Sequence, residues 1–264
     1  MGKRKSYDEL TFTDDFMFRE VMQKHPEICR ELAELLTGRK ICKIRLPEVQ
    51  KDEKFLYGGR GVRFDVYFED AANTVYDIEM QTVVRESVKK RSRYYSSMLD
   101  MDHLQRNASY SKLPDAYIVF ICLEDPFENN VARYTFRYTC EELPDLKLDD
   151  GSTIIFINSK GRNGASPDLQ ALLEYLNGRL PESDLTKAIE QAVNDQKEDE
   201  RGRRKYMTLE EHYAEEREEE RQDISFVMKQ LINAGRIEDV KRAVDDSKYM
   251  DQLLEEFGRK EPVH

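Results

Sequence analysis

The sequence predicts an α/β protein with the element order α-β-β-β-α-β, extended by further strands and a helical C-terminal tail. Apolar residues first recur at helical spacing, and three strand-like runs separated by turn residues then follow. A later run, DAYIVFICL, is apolar almost throughout. Such a strand is typical of a sheet that is covered on both faces, so we expect a mixed sheet flanked by helices.

The segment before Gly38 is predicted to form two helices, or one helix broken at Pro26. Phe18 and Val21 begin an apolar stripe at helical spacing, which resumes beyond the proline. Gly38 is a typical C-terminal stop for the second helix.

Strands are predicted at 41–50, 62–69 and 74–82, with a turn at 58–61. The residues EDAAN would join the second and third strands as a short hairpin loop. A helix is then expected near 85–105.

Two more strand-like runs, ARYTFRYTC and GSTIIFINS, would extend the edge of the same sheet. Helices follow from Asp168. We expect a domain at 1–196, a charged helical linker at 197–223, for which disorder is the alternative, and a small helical tail at 224–264.

Composition limits the function classes. The chain has 264 residues and a net charge of −11, which argues against a protein that coats nucleic acid over its whole surface. A local basic groove is still compatible, because RESVKKRSR at 85–93 carries five cations against one acid. The scattered cysteines, the absence of a bilayer-spanning apolar run and the lack of a signal-peptide pattern predict a cytoplasmic protein with reduced thiols and no membrane partner.

The run YDIEMQ alternates apolar and polar residues, so Asp77, Glu79 and Gln81 would share one face of a strand. In a hairpin with a five-residue loop, residue 69 would lie opposite 75 and Asp65 opposite Glu79, with α-carbons about 4.5 to 5.5 Å apart. Like charges in that position repel, and a divalent cation would remove the repulsion. The alternative is that these acids form the solvated side of a half-exposed strand.

The pattern as a whole resembles the PD-(D/E)XK nuclease superfamily, and more closely the Rpn family of recombination-promoting nucleases and transposases. The resemblance covers about residues 11–211 and is carried by DDFMFREVM, VRFDVYFED, YDIEMQ, RSRYYSSMLD, YIVFIC, DPF and YMTLEE. The predicted element order fits the restriction-endonuclease-like core of that superfamily. One departure is QRNASY, where the family often has a glycine before the tyrosine, and we expect Asn107 to adopt positive φ there.

The resemblance implies that Asp65 and Glu79 are metal ligands and that Gln81 takes the place of the superfamily's catalytic lysine. Asp15 matches the acid of the family's opening motif, although an acid at a helix start can also be only a cap. The implied metal site consists of Asp65, Glu79 and the backbone carbonyl of Met80, with Mg²⁺ or Mn²⁺ as cofactor. The residues expected to contact DNA are Arg63, Arg85, Lys89, Lys90, Arg91, Arg93 and Tyr95.

The function expected from the resemblance is a metal-dependent DNA endonuclease, a hydrolase of phosphodiester bonds linked to recombination or transposition. The alternative is a catalytically silent nuclease fold that binds DNA or a protein. Ile224, Val227, Met228, Leu231 and Ile232 form an apolar stripe in the tail, which would bury in a homodimer, on a partner or against the chain's own domain.

Overall fold

The structure is a computed structural model that describes residues 5–46, 52–53, 62–104 and 107–257. Contacts divide the chain into two compact units, residues 1–202 and 203–264. The division falls inside a single helix, α6, which spans Glu200–Asn233 and also crosses the predicted boundary at residue 223.

The N-terminal region contains the two predicted helices, α1 at Asp15–Lys24 and α2 at Pro26–Thr37. Pro26 is the first residue of α2, where its missing N–H costs no helical hydrogen bond. Gly38 ends α2 in the left-handed conformation with φ of 72°, and this confirms the predicted stop.

Within the described residues the main sheet has six strands in the order β1-β4-β5-β6-β8-β7. They are β1 at Ile44–Arg45, β4 at Val66–Asp70, β5 at Val75–Gln81, β6 at Ala116–Cys122, β7 at Arg133–Phe136 and β8 at Ser152–Asn158. Two short strands, β2 at Asp52–Glu53 and β3 at Val62–Arg63, form a separate antiparallel pair. The later part of the strand predicted at 41–50 lies outside the described residues.

The sheet is mixed, as predicted. β4 and β5 form an antiparallel hairpin, whereas β5 pairs in parallel with β6, and β6 with β8. Helix α3 at Val88–His103 connects β5 to β6 and packs against one face, while α1 and α2 contact strands of the sheet through β4 and β6. Beyond α3, Asn107 has φ of 70°, which confirms the prediction that it adopts positive φ.

The strand predicted at 62–69 is interrupted at Phe64 and Asp65, so β3 and β4 are separate strands. The hairpin register is the predicted one, with Glu69 opposite Val75 and Val66 opposite Ile78. Continuing this register by one residue brings Asp65 opposite Glu79.

Two further helices complete the first unit, α4 at Pro167–Leu176 and α5 at Asp184–Glu198. Helix α5 packs against α1 and α2. The Tyr7 hydroxyl donates a hydrogen bond to the Gln196 carbonyl at 2.7 Å and so ties the N-terminal segment to α5. All four cysteines are free thiols, and Cys29 and Cys122 are buried.

In the second unit, α6 packs with α7 at Ile237–Asp245 and α8 at Ser247–Phe257. Val227 and Leu231 of the predicted apolar stripe are buried in a small core with Ala243 and Leu253. Much of the stripe is therefore covered by the chain's own helices, although Ile232 remains 55% exposed. None of the described helices is long and apolar enough to cross a lipid bilayer.

Candidate active site

The polar face of β5 is buried. Tyr76, Ile78 and Met80 point away from it, and Tyr76 stacks on Phe68 with ring centroids 4.7 Å apart. On the opposite face Asp77 and Glu79 are both 0% exposed. The interpretation of these acids as a solvated strand face is therefore wrong, because the face that carries them is covered.

Asp65 and Glu79 hold each other in place through the backbone. The Asp65 N–H donates to Glu79 Oε1 at 2.9 Å, and the Met80 N–H donates to Asp65 Oδ2 at 3.1 Å. Each carboxylate thus accepts a hydrogen bond from a backbone N–H that, in a regular sheet, would donate to a carbonyl of the neighbouring strand. This exchange explains why the strand is interrupted at Asp65.

Arg91 of α3 provides the cation of the site. Its guanidinium makes a very short hydrogen bond to Glu79 Oε2 and donates to Gln81 Oε1 at 2.9 Å. The guanidinium carbon lies 4.8 Å from the centroid of the Tyr95 ring, at the distance of a cation–π contact. The Gln81 side-chain amide in turn donates to the Met80 carbonyl at 2.9 Å. The carbonyl predicted to bind the metal therefore already accepts a hydrogen bond from Gln81.

Asp15 also belongs to this neighbourhood. It begins α1, is 55% exposed, and accepts a hydrogen bond from Arg19 at 2.5 Å. The negative charge of Asp15 raises the pKa of Asp65, whereas the positive charge of Arg19 lowers it. The structure therefore brings Asp15, Asp65, Glu79 and Gln81 to one region of the first unit.

The buried acids are hard to ionise. Burial, followed by the charges of Glu79 and Asp15, raises the pKa of Asp65 well above its usual range. Burial also raises the pKa of Glu79, although Arg91 and the Asp65 N–H counteract it. Strongly raised carboxyl pKa values in one cluster are typical of a functional site.

Asp77 is the residue that the sequence prediction missed. Both of its carboxyl oxygens are buried, no N–H or hydroxyl group among the described residues donates to them, and the polar group beside them is the Glu79 carboxyl. Burial and the charges of Glu79 and Asp65 raise its pKa well above the usual range. Its position two residues before Glu79 was the only available signal, and it could not reveal the burial.

The donor set fits a hard divalent cation. It offers carboxylate oxygens, a backbone carbonyl and a side-chain amide oxygen, and Asp77 adds a buried carboxyl group to which no N–H or hydroxyl group of the described residues donates. Among the described residues no group of three or more His, Cys, Asp or Glu side chains is arranged to hold a metal ion. An ion held by Asp65 and Glu79 would therefore complete its coordination with the carbonyl, waters and phosphate oxygens, as Mg²⁺ commonly does.

The residues expected to contact DNA lie in four different environments. Arg85, Lys89, Lys90 and Arg93 are exposed before or on α3, whereas Arg63 is half-buried in β3 with a buried Nε. Arg91 points into the acid cluster. Tyr95 is only 8% exposed and packs edge-on against Phe64, so its ring is not available to a base. The adjacent Tyr94 is 40% exposed.

A mixed sheet with paired acids across its β4–β5 hairpin, covered by a helix that delivers an arginine, defines a PD-(D/E)XK-type α/β protein. The chain belongs to the PD-(D/E)XK nuclease family transposases, whose family model matches residues 13–235. Searches of curated proteins and of solved structures gave no match. Family membership supports a nuclease- or transposase-related role, and members of this class generally depend on divalent metals.

Proposed function

We propose that this chain is a metal-dependent DNA endonuclease that hydrolyses phosphodiester bonds. The observation that carries the proposal is the pair formed by half-buried Asp65 and fully buried Glu79, held opposite each other by reciprocal backbone hydrogen bonds. Keeping both carboxyl groups ionised at this position is unfavourable without a counter-charge, and a divalent cation between them would supply it. Retaining them in a nuclease family fold supports a metal site.

Asp65 and Glu79 would hold Mg²⁺ or Mn²⁺ together with the Met80 carbonyl. When bound, such an ion lowers the pKa of a coordinated water and neutralises charge on a phosphate under attack. The N–H groups of Asp65 and Met80 keep both carboxylates oriented, so little reorganisation is required when substrate arrives.

Gln81 and Arg91 together would replace the superfamily's catalytic lysine. The Gln81 amide can donate to or accept from the attacking water, but it carries no charge. Arg91, already hydrogen-bonded to Gln81, supplies the positive charge beside it. Its fork of donors suits a phosphate, and its half-exposed position leaves one side open to substrate.

The exposed cations around the start of α3 would bind the DNA backbone. Arg85, Lys89, Lys90 and Arg93 form a local basic surface on an acidic protein, and phosphate contacts of this kind position a duplex without reading its sequence. Arg63 would contribute beside the hairpin. Asp15 would act at the edge of the site, through its charge on Asp65.

A role in recombination or in the movement of mobile elements is the cellular context that the family description supports. Cutting both strands with one site per chain would require two chains, so we propose a homodimer on DNA. The free cysteines agree with action in the cytoplasm.

The test is cleavage of supercoiled plasmid with Mg²⁺, Mn²⁺ or EDTA. Wild-type protein is compared with Asp65→Ala and Glu79→Gln, and with Glu86→Gln as a control. Glu86 is an exposed acid in the loop before α3, so its loss changes the local charge equally without touching the buried pair. We expect metal-dependent nicking that falls by about 100-fold or more in both site variants, equivalent to about 2.7 kcal/mol of transition-state stabilisation.

Nicking that persists in Glu79→Gln would contradict the assignment of the site. Retarded DNA with no cleavage by any form would favour the alternative function, a nuclease fold that binds without cutting. The close pairing of Arg91 with Glu79 is the observation that favours this alternative, because it already supplies one counter-charge to the acids.

A further inference from the structure

A second concave site lies on the same unit, between α3 and the β8–β7 edge of the sheet. It is a cavity of about 370 Å³, within the range of small-molecule and nucleotide pockets. Its lining includes four aromatic side chains, Phe127, Phe136, Tyr138 and Phe156, and three basic ones, Lys89, Arg93 and Arg137.

The floor of this pocket is aromatic. The Phe127 ring lies 5.1 Å from Phe136 and 5.2 Å from Phe156, measured between centroids. Phe136 belongs to the edge strand β7 and is 44% exposed, so one ring is open to a ligand. Exposed aromatic surface of this kind is a platform for a planar group.

Phe127 is held in place by the DPF segment, a motif that the proposed reaction leaves unused. Asp125 accepts from the Phe127 N–H at 3.0 Å, from the Asn130 N–H at 2.8 Å and from the Tyr134 hydroxyl at 2.9 Å. These bonds fix the turn, and so the ring that it carries is pre-organised rather than free to collapse.

The rim of the pocket is cationic. Lys89 Nζ lies 4.8 Å above the Phe127 ring, and Arg137 Nε donates to Thr153 at 3.2 Å. Within the described part of the chain, Lys89, Arg93 and Arg137 form no ion pair with a carboxylate. These three cations favour an anionic ligand, although Arg137 also borders a cleft lined by Asp115, Asp149 and Asp150.

The pocket is joined to the candidate active site by packed side chains. Phe156 stacks on Phe120 at 5.4 Å, and the guanidinium carbon of Arg91 lies 5.6 Å from the Phe120 centroid. Lys89 and Arg93 are on the same helix as Arg91, on either side of it in sequence. Because residues two apart face different sides of a helix, a DNA strand that reaches both places must cross α3 rather than run along one face of it.

We propose that this pocket takes one unpaired nucleotide of the DNA substrate, with its base stacked on Phe136 and its phosphate bound by Arg93 and Arg137. A base within a duplex is not accessible to such a pocket, whereas a single-stranded or extruded base is. The inference rests on the proposed function, since it takes DNA as the substrate, and it adds a preference for strands with an unpaired base.

The test measures binding in EDTA, where cleavage plays no part. Fluorescence anisotropy compares a single-stranded oligonucleotide, the same strand with one abasic position, a blunt duplex and the mononucleotide dAMP. We expect the single strand to bind more tightly than the duplex or dAMP, and the abasic strand to lose up to about 10-fold in affinity.

The protein variants are Phe136→Ala and Phe136→Leu, with Tyr110→Ala as the aromatic control. Tyr110 is 80% exposed and lies outside the pocket lining, so its variant should bind as wild type does. Both Phe136 variants should lose about 10-fold in affinity for the single strand, and little for the abasic one. Arg93→Gln and Arg137→Gln should each weaken binding and flatten its salt dependence, whereas the exposed Arg179→Gln serves as their control.

Equal binding of intact and abasic strands, or single-strand affinity that Phe136 variants leave unchanged, would overturn the inference. Binding of dAMP as tight as that of the strand would also overturn it, in favour of a small-molecule site. Plasmid nicking separates this result from the proposed function. If nicking requires Glu79 but the Phe136 variants bind the single strand as wild type does, only the pocket proposal is wrong. If the Phe136 variants lose single-strand binding but no form of the protein nicks plasmid, only the nuclease proposal is wrong.

Discussion

Two acid-rich segments of this chain look alike in sequence and differ completely in structure. In YDIEMQ, Asp77 and Glu79 are 0% exposed on β5. In EEREEERQD of α6, Glu218, Glu219 and Glu220 are exposed on a helix. The first set is removed from water with one arginine bonded to it, and the second is hydrated. The difference teaches that the number of acids in a segment does not indicate a functional site. An acid that is buried without enough hydrogen bonds or counter-charges to balance it does.

The largest stability effect should come from removing Arg91, the one cation bonded to Glu79 within the described part of the chain. Arg91→Ala leaves Glu79 buried without its guanidinium partner, which costs about 2 to 3 kcal/mol in unfolding free energy after allowance for the half-exposed position of Arg91. Urea unfolding in EDTA measures the loss. The matched variant Arg217→Ala on the exposed face of α6 should change stability by less than about 0.5 kcal/mol.

A metal ion should sharpen the contrast between the two acid segments. Mg²⁺ at 100 times its dissociation constant should stabilise the wild-type protein by about 2.7 kcal/mol, and the increase should disappear in Glu79→Gln. Thermal unfolding without Mg²⁺, and at Mg²⁺ concentrations that increase in 10-fold steps, measures this stabilisation. An equal increase in Glu79→Gln would mean that the ion binds elsewhere, for example along the acidic face of α6.

Asp77→Asn should increase stability in the absence of metal, by about 1 kcal/mol or about 3 °C in Tm. Because burial raises the pKa of Asp77, the folded state binds more protons than the unfolded state above about pH 4, and the wild type loses stability as pH rises. The gain of the asparagine variant should therefore be small below about pH 4 and grow toward neutral pH. A gain that is constant with pH would show that Asp77 is not ionising in this window.

The smallest effect should come from the acids of α6. Glu219→Gln removes a charge that is already hydrated, so its unfolding free energy should stay within about 0.5 kcal/mol of wild type, and plasmid nicking should be unchanged. A larger loss in thermal unfolding would contradict the view that this segment is a solvated helix surface. It would also remove the contrast with β5.

Local pattern predicted much of the fold. The helix break at Pro26, the stop at Gly38 and the positive φ of Asn107 depend on backbone preferences of single residues, and all three are confirmed. The pairing of Asp65 with Glu79 followed from the length of the hairpin loop, because a short loop determines the register of an antiparallel pair.

Other features depended on neighbours that are distant in sequence. Tyr94 and Tyr95 are both polar aromatics on one helix, and only the packing of α3 on the sheet buries the second. The break at Asp65 arises because a side chain from β5 takes its N–H. The pocket at Phe136 requires α3, the DPF turn and β7 to converge, and no local pattern encodes that convergence.

The sequence by itself determined which residues alternate on β5, which of them meet across the hairpin and which family motifs they match. Only the tertiary structure decided that the acid face is buried rather than wet, that Arg91 is bonded to Glu79, and that no N–H or hydroxyl group of the described residues donates to Asp77. The physical reason is that strand alternation specifies the direction of a side chain, whereas its ionisation depends on what covers it. Here that cover is α3, the next helix after β5, whose position over the sheet the strand pattern does not specify.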